Sequence, residues 1–146
     1  MGRIESSVVI NASPEKVFAK ISDFEAMPEW NDSMKESKIT SEKRKGVGVT
    51  FHTVSMMSGT RMESDAEVTE WIENERITIR STAGNVTFFG SNILKPVPGG
   101  TELTMVGNYE MPYSILGKII DKLKVSKDVE KDIEKNNQNL KNLLES

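Results

Sequence analysis

Val8-Val9-Ile10-Asn11-Ala12-Ser13-Pro14-Glu15-Lys16-Val17-Phe18, running on through Asp23-Phe24 to Met27-Pro28-Glu29-Trp30, decides how the chain begins to fold. The apolar run ending at Ile10 reads as a short strand that stops at Asn11-Ala12. A helix follows, with Ser13 as its N-cap and Pro14 in its first position. The serine hydroxyl accepts from an otherwise orphaned backbone N–H, and proline brings no N–H to leave unpaired. The helix breaks near Pro28, beside Trp30.

Beyond Trp30 the pattern changes to alternation bounded by turn residues, the mark of antiparallel strands. Strands are expected near 3–11, 33–42, 48–57, 60–72, 75–82, 85–95 and 101–110. Ser58-Gly59, Asn74, Ala83-Gly84 and Pro98-Gly99-Gly100 form the corners, because these residues tolerate positive φ. With the corners setting the register, Phe51 faces Ala66, Val49 faces Val68, Val68 faces Ile79, Ile79 faces Phe88, and Leu94 faces Leu103. All these pairs are apolar and share one face of a curved sheet. The other face collects Arg61, Glu63, Asp65, Glu67, Arg76, Thr78 and Arg80, with Glu67 opposite Arg80 and Trp71 opposite Arg76. That is a solvated outer wall.

From about Ser114 to Leu144 the period becomes helical, with Leu116, Ile119, Ile120, Leu123, Val129, Ile133, Leu140, Leu143 and Leu144 on a stripe. Thirty residues make a rod of roughly 45 Å, long enough to cross the sheet. Asn136 and Asn137 interrupt the stripe. One of them points inward as a polar contact, or both mark the stripe drifting around a long helix; drift is the expectation.

The chain has 146 residues, the length of one ordinary domain. It contains no cysteine, so disulfides, thiol nucleophiles and Cys-based metal sites are excluded. A net charge of -3 argues against nucleic acid as a partner. The basic Lys43-Arg44-Lys45 reads as a solvated turn, and Gly46-Val47-Gly48 precedes a strand rather than a phosphate-binding helix. The start lacks a signal-peptide layout and no apolar run approaches ~18 residues, so a cytoplasmic protein without stable membrane insertion is expected. Two glycosylation-like triplets, at Asn31 and Asn85, read as chance matches on that expectation.

The order of strand, two short helices, six further strands and one long helix resembles the START/polyketide cyclase-like superfamily. The resemblance is carried by Ser13-Pro14-Glu15-Lys16-Val17-Phe18, Gly46-Val47-Gly48, the Pro98-Gly99-Gly100-Thr101 turn and the Leu140-Lys141-Asn142-Leu143-Leu144 ending. It implies a helix-grip α+β fold: a seven-stranded curved antiparallel sheet wrapped around the terminal helix, with a cavity between them. The superfamily holds carriers, lipid-transfer domains, aromatase/cyclases, quinone-handling proteins and co-chaperone domains, so the fold leaves the activity open.

On this register the inner face at the wide end carries Thr53, Ser55, Met62, Ser64, Ser81, Asn92, Met105 and Tyr109, beside Phe51, Ile79 and Phe88. Leu116 and Ile120 face them from the helix. Hydroxyls and methionines leave room where a filled core would take Leu, Ile and Val. Gly90 opposite Gly107 removes two more side chains. Met27 and Trp30 stand where the family often has an entrance, although Trp30 serves equally as a core anchor. Met56 and Met57 either guard the opening or are incidental to a loop tip.

No residue stands out as catalytic; Tyr109 and His52 are the candidates. His52 is the only histidine, which excludes a two-histidine metal site, and it is expected on the outer face. A one-residue slip would turn it inward as a general base. Glu63, Asp65 and Glu67 lack the asymmetric surroundings that acid/base pairs need, and Ser64 and Ser81 have no inward base to activate them. No motif calls for a cofactor. The sequence favours a binder of a small hydrophobic molecule (a lipid, isoprenoid or polyketide-like compound), acting as carrier or sensor. The alternatives are a cyclase or dehydratase-like enzyme using Tyr109 or His52, and a protein-binding module of co-chaperone or quinone-complex type.

Overall fold

The computed structural model describes residues 2–57, 59–110 and 122–146. The expected start of the terminal helix, with Leu116, Ile119 and Ile120, lies outside them, as does Tyr113. The side chain of Leu123 is also outside the description.

Strand β1 (Gly2–Ile10) leads into helix α1 (Pro14–Ile21) and a short 3-10 helix (Phe24–Glu29). Ser13 sits extended at the N-cap and its Oγ accepts the Lys16 N–H at 3.2 Å. The apolar spacing of α1 then buries Val17, Phe18 and Ile21 on one side, as an amphipathic helix does. Strands β2 (Met34–Ile39), β3 (Thr50–Met57), β4 (Thr60–Ile72), β5 (Arg76–Gly84), β6 (Thr87–Val97) and β7 (Gly100–Glu110) follow. All pair antiparallel in one seven-stranded sheet of order β1-β7-β6-β5-β4-β3-β2. Helix α2 (Lys122–Glu145) packs back against the sheet. This is the helix-grip arrangement.

The expected pairs Phe51–Ala66, Val68–Ile79, Glu67–Arg80 and Leu94–Leu103 are present in the ladder. Val49 precedes β3, but its carbonyl accepts the Val68 N–H at 2.9 Å. Two expectations are corrected. Ile72, not Trp71, lies opposite Arg76, because the β4–β5 ladder shifts by one residue between Val68 and Glu70. The extra residue, Thr69, reverses which side chains point inward. Trp71 therefore turns in and meets Phe18 edge-on, with ring centroids 5.2 Å apart. In the second case Ile79 lies opposite Gly90, two residues from Phe88. The β5–β6 backbone ladder ends where Arg80 faces Phe89, and the Ser81 Oγ takes over by accepting the Phe88 N–H at 3.0 Å. The connection then leans onto β4: Asn85 N donates to Glu63 O, and Asn85 Oδ1 accepts from Glu63 N, both at 3.0 Å.

Gly90 and Gly107 do lie opposite one another. A Cβ on Gly107 would stand 2.6 Å from the Phe89 carbonyl oxygen, so the strands approach here more closely than any side chain allows.

Ile10, Val17, Phe18, Phe24, Val49, Phe51, Val68, Leu140 and Leu144 belong to one buried cluster, in which Phe24 stacks on Phe51 at 4.5 Å. The asparagine expectation is also corrected. Asn137 is 8 % exposed and its Nδ2 donates to Ser6 Oγ on β1 at 3.0 Å. Asn139 Nδ2 donates to the Trp30 carbonyl at 3.1 Å, and Asn136 Oδ1 accepts the Asp32 N–H at 3.1 Å. These amides tie α2 to the first strand and to the turn after the 3-10 helix.

Candidate ligand cavity

Two adjoining hollows lie on the inner side of the sheet. The first, of about 220 Å³, is bounded by Ile4, Ile21, Phe24, Met27, Trp30 and Asn31, and by residues 88–92 facing residues 105–108. The second, of about 200 Å³, lies over β3 and β4 and is lined by Met34, Phe51, Thr53, Ser55, Met62, Ser64 and Val86. Met27, Ile79 and Phe88 line both. Together they fall within the ~300–1,000 Å³ of ordinary small-molecule sites.

The alternation of β3 and β4 creates the second hollow. Residues 51, 53 and 55 share one face of β3, and 62, 64 and 66 share the matching face of β4, since side chains alternate along a strand. The inward hydroxyls of Thr53 and Ser64 lie within 3.5 Å of the Ser64 and Val86 carbonyl oxygens respectively. They are small, and they leave the hollow mostly apolar. In the first hollow the glycine pair thins the wall, while Met27 and Trp30 close the side toward the 3-10 helix.

Of the residues read from sequence as lining a pocket, Met27, Trp30, Phe51, Thr53, Ser55, Met62, Ser64, Ile79, Phe88, Asn92 and Met105 border these hollows. Ser81 is occupied with the Phe88 N–H instead. Tyr109 is not in the described lining. Its ring covers Gly2, leaving no room there for a Cβ, and it packs with Val129 of α2. Leu116 and Ile120 lie outside the described residues. Ile4, Ile21, Phe24, Asn31, Met34 and Val86 were among those missed, although the β1–β7 alternation carries the signal for Ile4 and Ile21 sits on the buried face of α1.

His52 lies on the outer face, away from both hollows. Its Nδ1 is 2.7 Å from Asp65 Oδ1, directly across the ladder, and its Nε2 is 3.5 Å from Glu63 Oε1. The hydrogen bond to Asp65 raises the imidazole pKa above its ordinary value, with Glu63 adding to the effect and burial opposing it. A partner that bonds the charged form favours it. Arg61, 3.0 Å from Glu63, and the imidazole hold that carboxyl below the usual range. Such a clamp holds two strands together on a solvated wall.

Met56 and Met57 line a separate polar recess of about 380 Å³ with Asp32, Ser33, Asp128, Lys131 and Asp132. Burial, then the neighbouring Asp128 and Asp32, raise the pKa of Asp132. Among the described residues no group of His, Asp or Glu is placed to hold a metal ion. Nor is any described helix long and apolar enough to cross a membrane.

A family model described as polyketide cyclase/dehydrase and lipid transport matches residues 1–145. The chain belongs to this polyketide cyclase/dehydrase and lipid transport family. No curated protein matches it at a significant level. Among solved structures, a START superfamily protein from Mycobacterium smegmatis is similar with a TM-score of 0.80 and 21% identity, over 98% of this chain and 97% of that one. A protein from Thermus thermophilus gives a TM-score of 0.74 at 19% identity, covering 95% of this chain and 97% of its own. Major latex-like protein 151 from Panax ginseng gives 0.71 at 12% identity, over 96% of this chain and 95% of that one. At these identities the structures share the fold. Membership of the family and the helix-grip fold together make the protein a hydrophobic ligand-binding or polyketide cyclase-like module.

Proposed function

We propose that the protein binds a small hydrophobic molecule inside the grip, as a carrier or sensor rather than as a catalyst. The observation that carries this reading is the pair of adjoining apolar hollows that share Met27, Ile79 and Phe88. Their described walls consist of apolar side chains, hydroxyls and amides, groups that hold a ligand by burial and hydrogen bonding. Apolar burial at ~25 cal/mol per Å² supplies the affinity. The positions of Tyr109 under α2 and of His52 on the outer wall support binding over proton transfer.

Native mass spectrometry of the full chain, purified from its own host, tests the proposal directly. A co-purifying molecule that organic extraction removes is the expected result. Ser64→Trp supplies the structural control, since an indole at Ser64 fills the hollow over β3 and β4. Uptake of a neutral fluorescent dye such as 1-aminoanthracene should fall at least about tenfold, while overpacking costs about 1–3 kcal/mol of stability and leaves unfolding cooperative. Undiminished uptake by a folded Ser64→Trp protein would place the ligand elsewhere.

A further inference from the structure

Two polar side chains in the hollow between the 3-10 helix, β6 and β7 have groups with no hydrogen-bond partner among the described residues. Asn92 is on the inner face, opposite Ile77 of β5 and Met105 of β7. Its amide has no hydrogen-bond partner among the described residues. Trp30 is 8 % exposed, and its buried Nε1–H likewise finds no acceptor among them. Two of the neighbouring polar atoms are already engaged. Asn31 Oδ1 accepts from the Ser33 N–H and hydroxyl at 3.2 and 2.9 Å, and Ser91 Oγ is 2.7 Å from Thr78 Oγ1.

The Asn92 amide is only half-buried, so water can serve it when no occupant is bound; an occupant that displaces that water must supply the complementary atom or leave the amide unpaired at a cost in free energy. Both groups can donate, so that atom is an acceptor. Its charge follows from the rest of the wall. Among the described residues lining the hollow none is ionisable, and a carboxylate would have to shed its hydration without a cation to receive it. A ketone, ester or ether oxygen sheds much less.

We propose that this hollow selects a neutral lipophile bearing an acceptor oxygen, with the Asn92 amide as the principal contact and the Trp30 N–H as a second donor. The inference rests on the reading of the hollows as a ligand site. It goes further by naming the chemical class and the residues that set it. Trp30 Nε1 is fully buried and so less accessible to an occupant than the half-buried Asn92 amide. Asn92 therefore carries the larger share.

The test is displacement of 1-aminoanthracene from the full chain at pH 7.5 by three probes of equal chain length: 2-undecanone, undecane and undecanoate. The ketone should bind at least about tenfold more tightly than either of the others, the scale of one net hydrogen bond. Asn92→Leu should remove most of the ketone's advantage over undecane. Trp30→Phe should remove a smaller part of it. Equal affinity for ketone and alkane, tightest binding of undecanoate, or an Asn92→Leu protein that still prefers the ketone tenfold would each overturn the assignment while leaving the ligand site standing. Failure of the wild-type chain to take up the dye or any probe would instead remove the site, and this inference with it.

Discussion

The two ends of the grip are built on opposite rules. Where α1 meets the C-terminal end of α2, the residues are Phe18, Val17, Ile10, Leu140 and Leu144, all buried in one cluster. Polar bonds then lock the closure. Lys16 Nζ donates to the Leu144 carbonyl at 2.8 Å, and Asn11 N donates to Glu145 Oε2 at the same distance. At the other end the same sheet presents glycines, methionines and hydroxyls, and encloses hollows. Stability is concentrated where side chains fill space, which frees the remainder of the inner face to leave space unfilled. One end makes the fold and the other leaves the hollows.

Truncation at each end gives the largest expected contrast. Phe18→Ala removes a ring packed on Trp71 and inside the main cluster, and should cost about 3–5 kcal/mol in urea unfolding. Met105→Ala removes side-chain atoms that already border a hollow and have fewer contacts to lose. Its cost should stay below about 2 kcal/mol, since truncation penalties scale with the packing lost. Equal losses at the two positions would erase the division between a filled end and an open one.

The amides on α2 offer a sharper version of the comparison, because they cross from one end toward the other. Asn137 Nδ2 bonds Ser6 Oγ in a part-buried site. Asn137→Ala should therefore cost about 1–2 kcal/mol, the loss of one net hydrogen bond with its partner left unsatisfied. Pairing it with Ser6→Ala in a double-mutant cycle isolates the bond itself. A coupling near zero would mean that the asparagine acts only by filling volume.

Much of the architecture was readable from local chemistry. The Ser13-Pro14 start of α1 and the strand corners at Gly59, Asn74 and Gly99-Gly100 act through backbone preferences within a few residues, and these leave direct marks in composition. The β3–β4 and β6–β7 registers followed from the corners because those ladders run without slips between turn and end. The β4–β5 ladder does slip, at Thr69 and again near residues 81–83, and a bulge is a property of two strands meeting rather than of either sequence. Trp71 was misplaced for that reason alone. Asn137 was misread because a lone amide on an apolar stripe declares its partner only when the opposing strand is in place. For the cavity, parity along each strand identified Phe51, Thr53, Ser55, Met62, Ser64, Ile79, Phe88, Asn92 and Met105 as wall residues. What parity cannot show is which hydroxyls are already spent, as that of Ser81 is.

The smallest expected effect concerns the outer wall, where the clamp on His52 was implicit in the register that sets Phe51 opposite Ala66. The sign is determined by the direction of the shift. An imidazole whose pKa is higher in the folded than in the unfolded chain binds its proton more tightly when folded. Its contribution is complete below the ordinary value of 6.5 and fades as pH rises through the higher folded pKa. The wild-type chain should thus gain thermal stability relative to His52→Gln between about pH 8 and pH 6. Further acidification should reverse part of that gain, as Glu63, whose pKa is lowered in the fold, takes up its proton below its ordinary 4.5. Lys38 on β2 and Arg61 on β4 also stand near this wall and disfavour the imidazolium, which keeps the effect modest. Thermal melts of both proteins across that range would show two curves converging at high pH. Parallel curves would mean that the imidazole titrates alike in the folded and unfolded chains, and that β3 and β4 are held by their backbone ladder alone.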